Sequence, residues 1–427
     1  MKEFIELVNK ASEKIKQCDS IIQVVSHYDA DGISSSAIIS SVLMQLNKQF
    51  HLTTVKRIKQ EVIDDVKARN PKLVIFCDIG SSYLEYVKQL DCDIIICDHH
   101  EIQGTENERI IHLHPMGFDL HLSGAGVTYV LSREILKNNS LAPLAVVGMI
   151  GDMEEINSKI FDSPLIEMER GLNLYGRFSR PLYRALEYSG IPSFSDASKV
   201  IQFLAEIGIN SQTNGEWRTL SNLNEEEKTK LNDAIVKESV KHSLSLEEVF
   251  GDILTLKGFP DELKDVKEFA TLLNACGRMG EPAIGIAVCL GSKKALEMAK
   301  GLSRGYKRLI ASYLRWIESN PDCIRQTEQA TYILAKDNIH ENIIGTITSM
   351  LQQDKTIIGL AYAEDGIKVS GRSKDADLAG VLSIAAKECG GLGGGHKQAA
   401  GCTIPREAEN KFVEICDQLI KEKLIKV

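Results

Sequence analysis

Four short segments carry residues able to do chemistry together: His27, Asp29 and Asp31 in SHYDADG (26–32), Asp78 in CDIGSS (77–82), Asp98, His99 and His100 in CDHHE (97–101), and Asp152 in MIGDME (149–154). Imidazole nitrogens and carboxylate oxygens are the donors that hold divalent cations. Five carboxylates gathered in one crevice would repel one another unless cations neutralised them. Two ions roughly 3.5–4 Å apart can generate a hydroxide at neutral pH, orient a phosphate and stabilise the attacking and leaving oxygens. Mixed imidazole and carboxylate ligation favours Mn²⁺, with Mg²⁺ the alternative. In an extended SHYDADG the three alternate side chains face one point. Asp78, alone at its strand end, is the natural bridging ligand. Singly, each segment is ordinary, since an Asp after a strand is commonly a helix N-cap. Their joint occurrence carries the reading.

The intervening chain must bring these segments to one place. Short β-rich runs (IIQVVS, 21–26; FHLTTVKRI, 50–58; KLVIFCD, 72–78; DIIICD, 93–98) alternate with helical ones. That rhythm predicts an α/β domain with a largely parallel sheet flanked by helices. The acid-bearing segments then share the edge formed by the carboxyl ends of the strands, where open sheets bind ligands. SGAGVTYVLSREILKNNSLAPLAVVGMIG (123–151) predicts a helix opened by a Gly-rich turn, a loop at Pro143, and a second apolar helix or strand.

The expected divisions are a catalytic domain over 1–190, a helical connecting region over 191–320 and a smaller α/β domain over 321–427. Residues 292–320 predict a long connecting helix with Leu302, Leu309, Tyr313 and Trp316 on its apolar side. In the last domain GGLGGGHKQAAG (390–401) offers backbone N–H groups unobstructed by side chains, through Gly394 and Gly395, followed by His396 and Lys397. Such a loop suits phosphate or nucleotide binding. Ser370, Arg372 and Arg278 are further candidate phosphate contacts, Arg because it binds phosphate in a bidentate manner.

Composition narrows the classes. A net charge of −9 is the wrong sign for gripping nucleic acid over the whole surface, so any polyanion site is a local basic pocket. Aromatic residues at 6% are too few for stacking along many bases, which favours a short grip on one chain end. The ten cysteines show no CxxC pair and read as buried thiols. No apolar run approaches the roughly 18 residues of a membrane span, so no membrane association and a cytoplasmic location are expected.

SHYDADGISSS, CDIGSS, CDHH and GDM resemble the four motifs of the DHH phosphoesterase superfamily. SGAGVTYVL is similar to the segment between its third and fourth motifs, and GGGHKQAAG to the signature of the DHH-associated C-terminal domain. Order and spacing most resemble the archaeal RecJ-like single-strand exonucleases, with residues 155–270 matching loosely. The resemblance implies a two-manganese site: His27, Asp29 and Asp78 on one ion, and Asp31, Asp78, His99 and Asp152 on the other. His100 would contact the substrate phosphate, Asp98 would orient its neighbours, and the active-site cleft would lie between the two domains. The implied activity is release of mononucleotides from an end of single-stranded DNA or RNA. The alternatives are a nanoRNase or small-nucleotide phosphoesterase acting on dinucleotides, cyclic dinucleotides or phosphoadenosine phosphate, and a replication-fork factor bound to the GINS complex.

Overall fold

The computed structural model describes residues 2–118, 120–152, 163–352, 355–395 and 397–424. The chain divides into two compact units, 1–302 and 303–427.

The first unit is built on five parallel strands in the order Phe50–Val55, Ile22–His27, Leu73–Cys77, Asp93–Cys97, Ile110–Leu113. Helix α1 (Lys2–Gln17) precedes β1 (Ile22–His27), α2 (Ala30–Gln45), β2 (Phe50–Val55), α3 (Gln60–Ala68) and β3 (Leu73–Cys77). Then come α4 (Leu84–Val87), β4 (Asp93–Cys97), β5 (Ile110–Leu113), α5 (Gly124–Leu136) and α6 (Ala142–Gly151). The central strands are apolar at nearly every position because both sheet faces are covered. Val24, Ile75, Cys77, Ile95 and Cys97 share one core with α1, α2, α5 and α6. Val25, Val74, Phe76, Ile94 and Ile96 share another with Ile63 and Val66 of α3 and Leu84 and Val87 of α4. Strand β5 was not legible in the sequence, being four residues long.

Two local expectations are corrected. SHYDADG is not extended throughout: β1 stops at His27, and Asp29 is the N-cap of α2, its side chain accepting from the Gly32 N–H at 3.1 Å. Asp31 therefore stands in the first helical turn, where Asp is favourable to the helix dipole. Pro143 opens α6 instead of marking a loop, because the first turn of a helix has no use for the N–H that proline lacks.

Beyond α6 an antiparallel pair, Ile166–Leu172 with Phe250–Leu256, brackets a small helical subregion. Leu182, Phe194, Val200, Leu204, Leu231 and Ile235 form its own core. The chain then returns through the helix Val266–Arg278, which packs on α2 and α6. Gly277 permits that approach, since a Cβ there would lie 1.9 Å from the Tyr28 carbonyl oxygen.

The helix Lys293–Ser319 is uninterrupted despite Gly301 and Gly305. Its buried positions are Ala295, Leu296, Ala299, Ser303, Tyr306, Ile310 and Ile317, whereas the expected apolar side at Leu302, Leu309, Tyr313 and Trp316 is half-buried. The second unit carries a six-stranded mixed sheet in the order Ile324–Gln326, Ala330–Lys336, Thr356–Ala363, Gly366–Arg372, Ala399–Ile404, Leu392–Gly395. The Gly-rich stretch, expected as a loop, is mostly strand: Leu392–Gly395 pairs antiparallel with Ala399–Ile404, Gly394 opposite Gly401. Among the described residues, no helix is long and apolar enough to cross a membrane.

Gly277→Ala is expected to destabilise the protein by about 1–3 kcal/mol, the cost of overpacking a close contact. Denaturant titration checks this, and an unchanged midpoint would show that the helix Val266–Arg278 yields freely.

Candidate metal centre

Parallel strands place their carboxyl ends on one edge, and three of the acid-bearing segments begin there. β1 delivers His27, β3 delivers Asp78, and β4 delivers Asp98, His99 and His100, while Asp152 caps the C-terminus of α6. Ser26 ties the first two together, its Oγ lying 2.8 Å from the Gly32 carbonyl and 3.0 Å from that of Cys77.

Asp78 sits at the middle of the group. One oxygen, Oδ2, is 3.4 Å from His27 Nδ1, which is itself 2.9 Å from Asp29 Oδ2. The other, Oδ1, is 3.6 Å from His99 Nε2, which is 3.2 Å from Asp152 Oδ2. Two potential ligand sets thus meet at this carboxylate: His27, Asp29 and Asp78 on one side, and Asp78, His99 and His100 on the other, each with ligand atoms within 4.8 Å of one another. Among the described residues, both Asp78 oxygens are buried without a hydrogen bond. Its backbone is left-handed, φ +57°, with its N–H held by the Cys97 carbonyl at 2.8 Å. Gly124 makes room for it, since a Cβ there would come within 2.6 Å of Asp78 Cβ. A non-glycine residue in this conformation is uncommon, and strain of this kind collects at functional sites.

The electrostatics follow from crowding. Burial first, then Asp31, Asp29, Asp98 and Asp152, push the Asp78 carboxyl well above its ordinary pKa. Burial likewise raises Asp31 against the pull of its hydrogen bonds. Burial opposes ionisation of Asp29 as well, but His27 outweighs it and holds that carboxyl well below the usual range. A set in which some carboxylates ionise and others resist lacks positive charge at its centre. Divalent cations are the group that these donors fit.

Asp31 and Asp98 are occupied differently from the rest. Asp31 faces the N-terminus of α5: Oδ1 accepts from Ser123 Oγ at 2.6 Å and from the Ala125 N–H at 3.0 Å, and Oδ2 accepts from the Gly124 N–H at 2.8 Å. Asp98 Oδ2 accepts from the Ser81 N–H at 2.8 Å, while Oδ1 accepts from the His99 and His100 N–H groups at 2.8 and 3.2 Å and lies 2.7 Å from His100 Nδ1. Burial disfavours the charged form of both Asp98 and His100, yet their contact overrides it. Asp98 is held well below the carboxylate range and His100 is pushed up to about 9. With Nδ1 engaged, His100, 43% exposed, turns the rest of its ring outward.

Of the candidate phosphate contacts, Arg278 ends the helix Val266–Arg278, in the same unit as the acids. Ser370 and Arg372 lie two apart on one strand of the second unit. The Arg372 guanidinium donates from Nε to Ser349 Oγ and from Nη1 to the Gly371 carbonyl, each at 2.8 Å. Ser370 pairs with Gly401, whose other partner is Gly394, and a Cβ on Gly394 would meet open space. Gly395 follows in the same strand, and Lys397 is exposed. His396 lies outside the described residues. Sequence reading passed over Asn274, whose Oδ1 accepts from the Ala30 N–H at 3.0 Å, and Ser81. Neither residue type signals such a role without the fold.

Comparison with known proteins agrees with this layout. Three family models match in order: the DHH family N-terminal domain over 21–149, the DHH-CID domain over 174–251 and the DHHA1 domain over 328–422. An uncharacterized protein of Methanocaldococcus jannaschii is 30% identical, covering 98% of both chains. The single-stranded-DNA-specific exonuclease RecJ of Bacillus subtilis is 23% identical over 97% of this chain, which spans about half (48%) of that protein. The crystal structure of RecJ in complex with Mn²⁺ from Thermus thermophilus shares the fold, with a TM-score of 0.62 at 18% identity, covering 97% of this chain and 55% of that one. Successive domain models and an end-to-end relative leave one assignment: the chain belongs to the DHH phosphoesterase superfamily, among its RecJ-like members.

Proposed function

We propose that the protein is a divalent-cation-dependent phosphodiesterase that releases mononucleotides from one end of single-stranded DNA or RNA. The observation that carries this reading is Asp78, a buried carboxylate with no hydrogen bond among the described residues, facing one histidine-containing donor set through each oxygen. His27, Asp29 and Asp78 would hold one cation, and Asp78, His99 and Asp152 the other, with Asp31 at the join. Mn²⁺ is the preferred ion for so mixed a set, and the Thermus thermophilus RecJ structure contains it.

Bound cations would supply the Lewis acidity that activates a water and neutralises charge on the phosphate. The residues of the chain do the remainder. Asp98 fixes the His99–His100 turn through three hydrogen bonds to its Oδ1 side, so that His99 presents Nε2 to the centre and His100 keeps Nε2 for a substrate oxygen. The attacking water oxygen bonds to phosphorus as the ester P–O bond breaks, and the departing oxygen takes up a proton. Ser370, Arg372 and the open backbone at Gly394 would bind a phosphate of the nucleic acid, with Gly395, His396 and Lys397 of the same unit, and Arg278 of the first unit, as further phosphate contacts. The preference for single strands is supported by the likeness to the Bacillus subtilis exonuclease. Dinucleotides test the small-substrate alternative, and pull-down with GINS tests the partner alternative.

End-labelled single-stranded DNA, RNA and dinucleotides incubated with the protein and Mn²⁺ are expected to yield mononucleotides. Asp78→Asn is expected to lower that rate more than about a hundredfold, the upper end of what losing a mere supporting partner costs. No product from any substrate, or equal product from the variant, overturns the reading.

A thermal measurement separates the charge argument from the chemistry. Asn tolerates the left-handed backbone and relieves the carboxylate repulsion, so metal-free Asp78→Asn is expected to be more stable than wild type by about 1 kcal/mol. Wild type should gain about 2.7 kcal/mol at Mn²⁺ a hundred times its Kd, and the variant should gain far less. A variant less stable than wild type without metal would contradict the repulsion.

A further inference from the structure

Strand β5 carries His112 and ends at Leu113, with His114 directly after it, and the two imidazole rings lie 5.2 Å apart. Neither histidine belongs to the sequence motifs, yet both reach the segments that form the acid cluster. His112, 6% exposed, has Nδ1 2.7 Å from Glu106 Oε1 and Nε2 2.9 Å from Ser81 Oγ. The backbone N–H of that same Ser81 donates to Asp98 Oδ2 at 2.8 Å. His114 places Nε2 2.9 Å from the carbonyl oxygen of His100.

The sequence of contacts Glu106, His112, Ser81 has the order of a hydrolytic triad, but Ser81 is fully buried, so no substrate reaches its hydroxyl. Burial lowers the pKa of His112 against the pull of Glu106. The neutral ring then donates Nδ1–H to Glu106 and accepts the Ser81 hydroxyl at Nε2, which fixes the tautomer. Both histidines thus grip the two turns, 78–83 and 98–100, that aim Asp78, His99 and His100.

We infer that His112 and His114 are positioning residues of the cation site, which they hold from behind through Ser81 and the His100 carbonyl, with Glu106 as the anchor. This rests on the cation reading above. Outer partners of this kind orient the ligands they touch, and their loss commonly costs ten- to a hundredfold in metal affinity or activity.

The test measures Mn²⁺ affinity by isothermal titration calorimetry, alongside the unfolding midpoint, for wild type, His112→Ala, Ser81→Ala, the double variant and Glu106→Ala. The expected result is an affinity loss of about tenfold or more for His112→Ala, and a smaller loss in the same direction for Glu106→Ala, whose side chain is 43% exposed and outside the core. The double variant should bind no more weakly than the weaker single variant, because the two side chains act through one contact. A folded His112→Ala with wild-type affinity overturns the inference, as does a double variant whose losses multiply. Should His112→Ala not fold, Glu106→Ala decides: unchanged affinity overturns the inference. Wild type that takes up no Mn²⁺ overturns the cation reading itself, and this inference with it.

Discussion

The first unit is organised around negative charge placed where negative charge is costly. Asp29, Asp31, Asp78, Asp98 and Asp152 converge on one sheet edge, with Asp78 at the centre, its buried carboxylate without a hydrogen bond among the described residues. Each surrounding device manages that cost. The N-terminus of α5 gives Asp31 three donors, the Ser81 N–H and the His99–His100 turn satisfy Asp98, and His27 faces Asp29. Among the described residues both Asp78 oxygens lack a hydrogen bond and lie toward opposite donor sets, which is the arrangement a shared cation ligand needs.

That demand explains features that look unrelated to catalysis. The left-handed backbone at Asp78 turns the carboxylate inward, and Gly124 leaves it the space. The helix Val266–Arg278, far along the chain, braces the first motif through Asn274 and the close passage at Gly277. Parallel strands make the convergence economical, because one edge collects every strand end without a special loop.

Much of this was legible in the sequence, for identifiable reasons. IIQVVS, KLVIFC and DIIIC are short, apolar and regularly spaced, so the parallel strands and their ends could be placed. His27 ends β1, Asp78 follows β3 and His99 lies two residues past β4, and the structure places the three side chains together. The alternation argument failed at Asp31 because helix α2 starts before it, and a capping Asp29 outweighs an extended backbone. Pro143 misled because proline opens helices as readily as it ends them. The Gly-rich stretch at 392–395 gave no sign of pairing, since glycine weakens strands and only the facing Ala399–Ile404 supplies the partner. Asn274, Ser81 and His112 were invisible, because their roles depend on contacts between distant segments.

The most direct test is anomalous diffraction at the manganese edge from crystals soaked in Mn²⁺. Two peaks flanking the Asp78 carboxylate, one beside His27 and Asp29 and one beside His99 and Asp152, are the result this account requires. A map with no peak within coordination distance of Asp78 would contradict it.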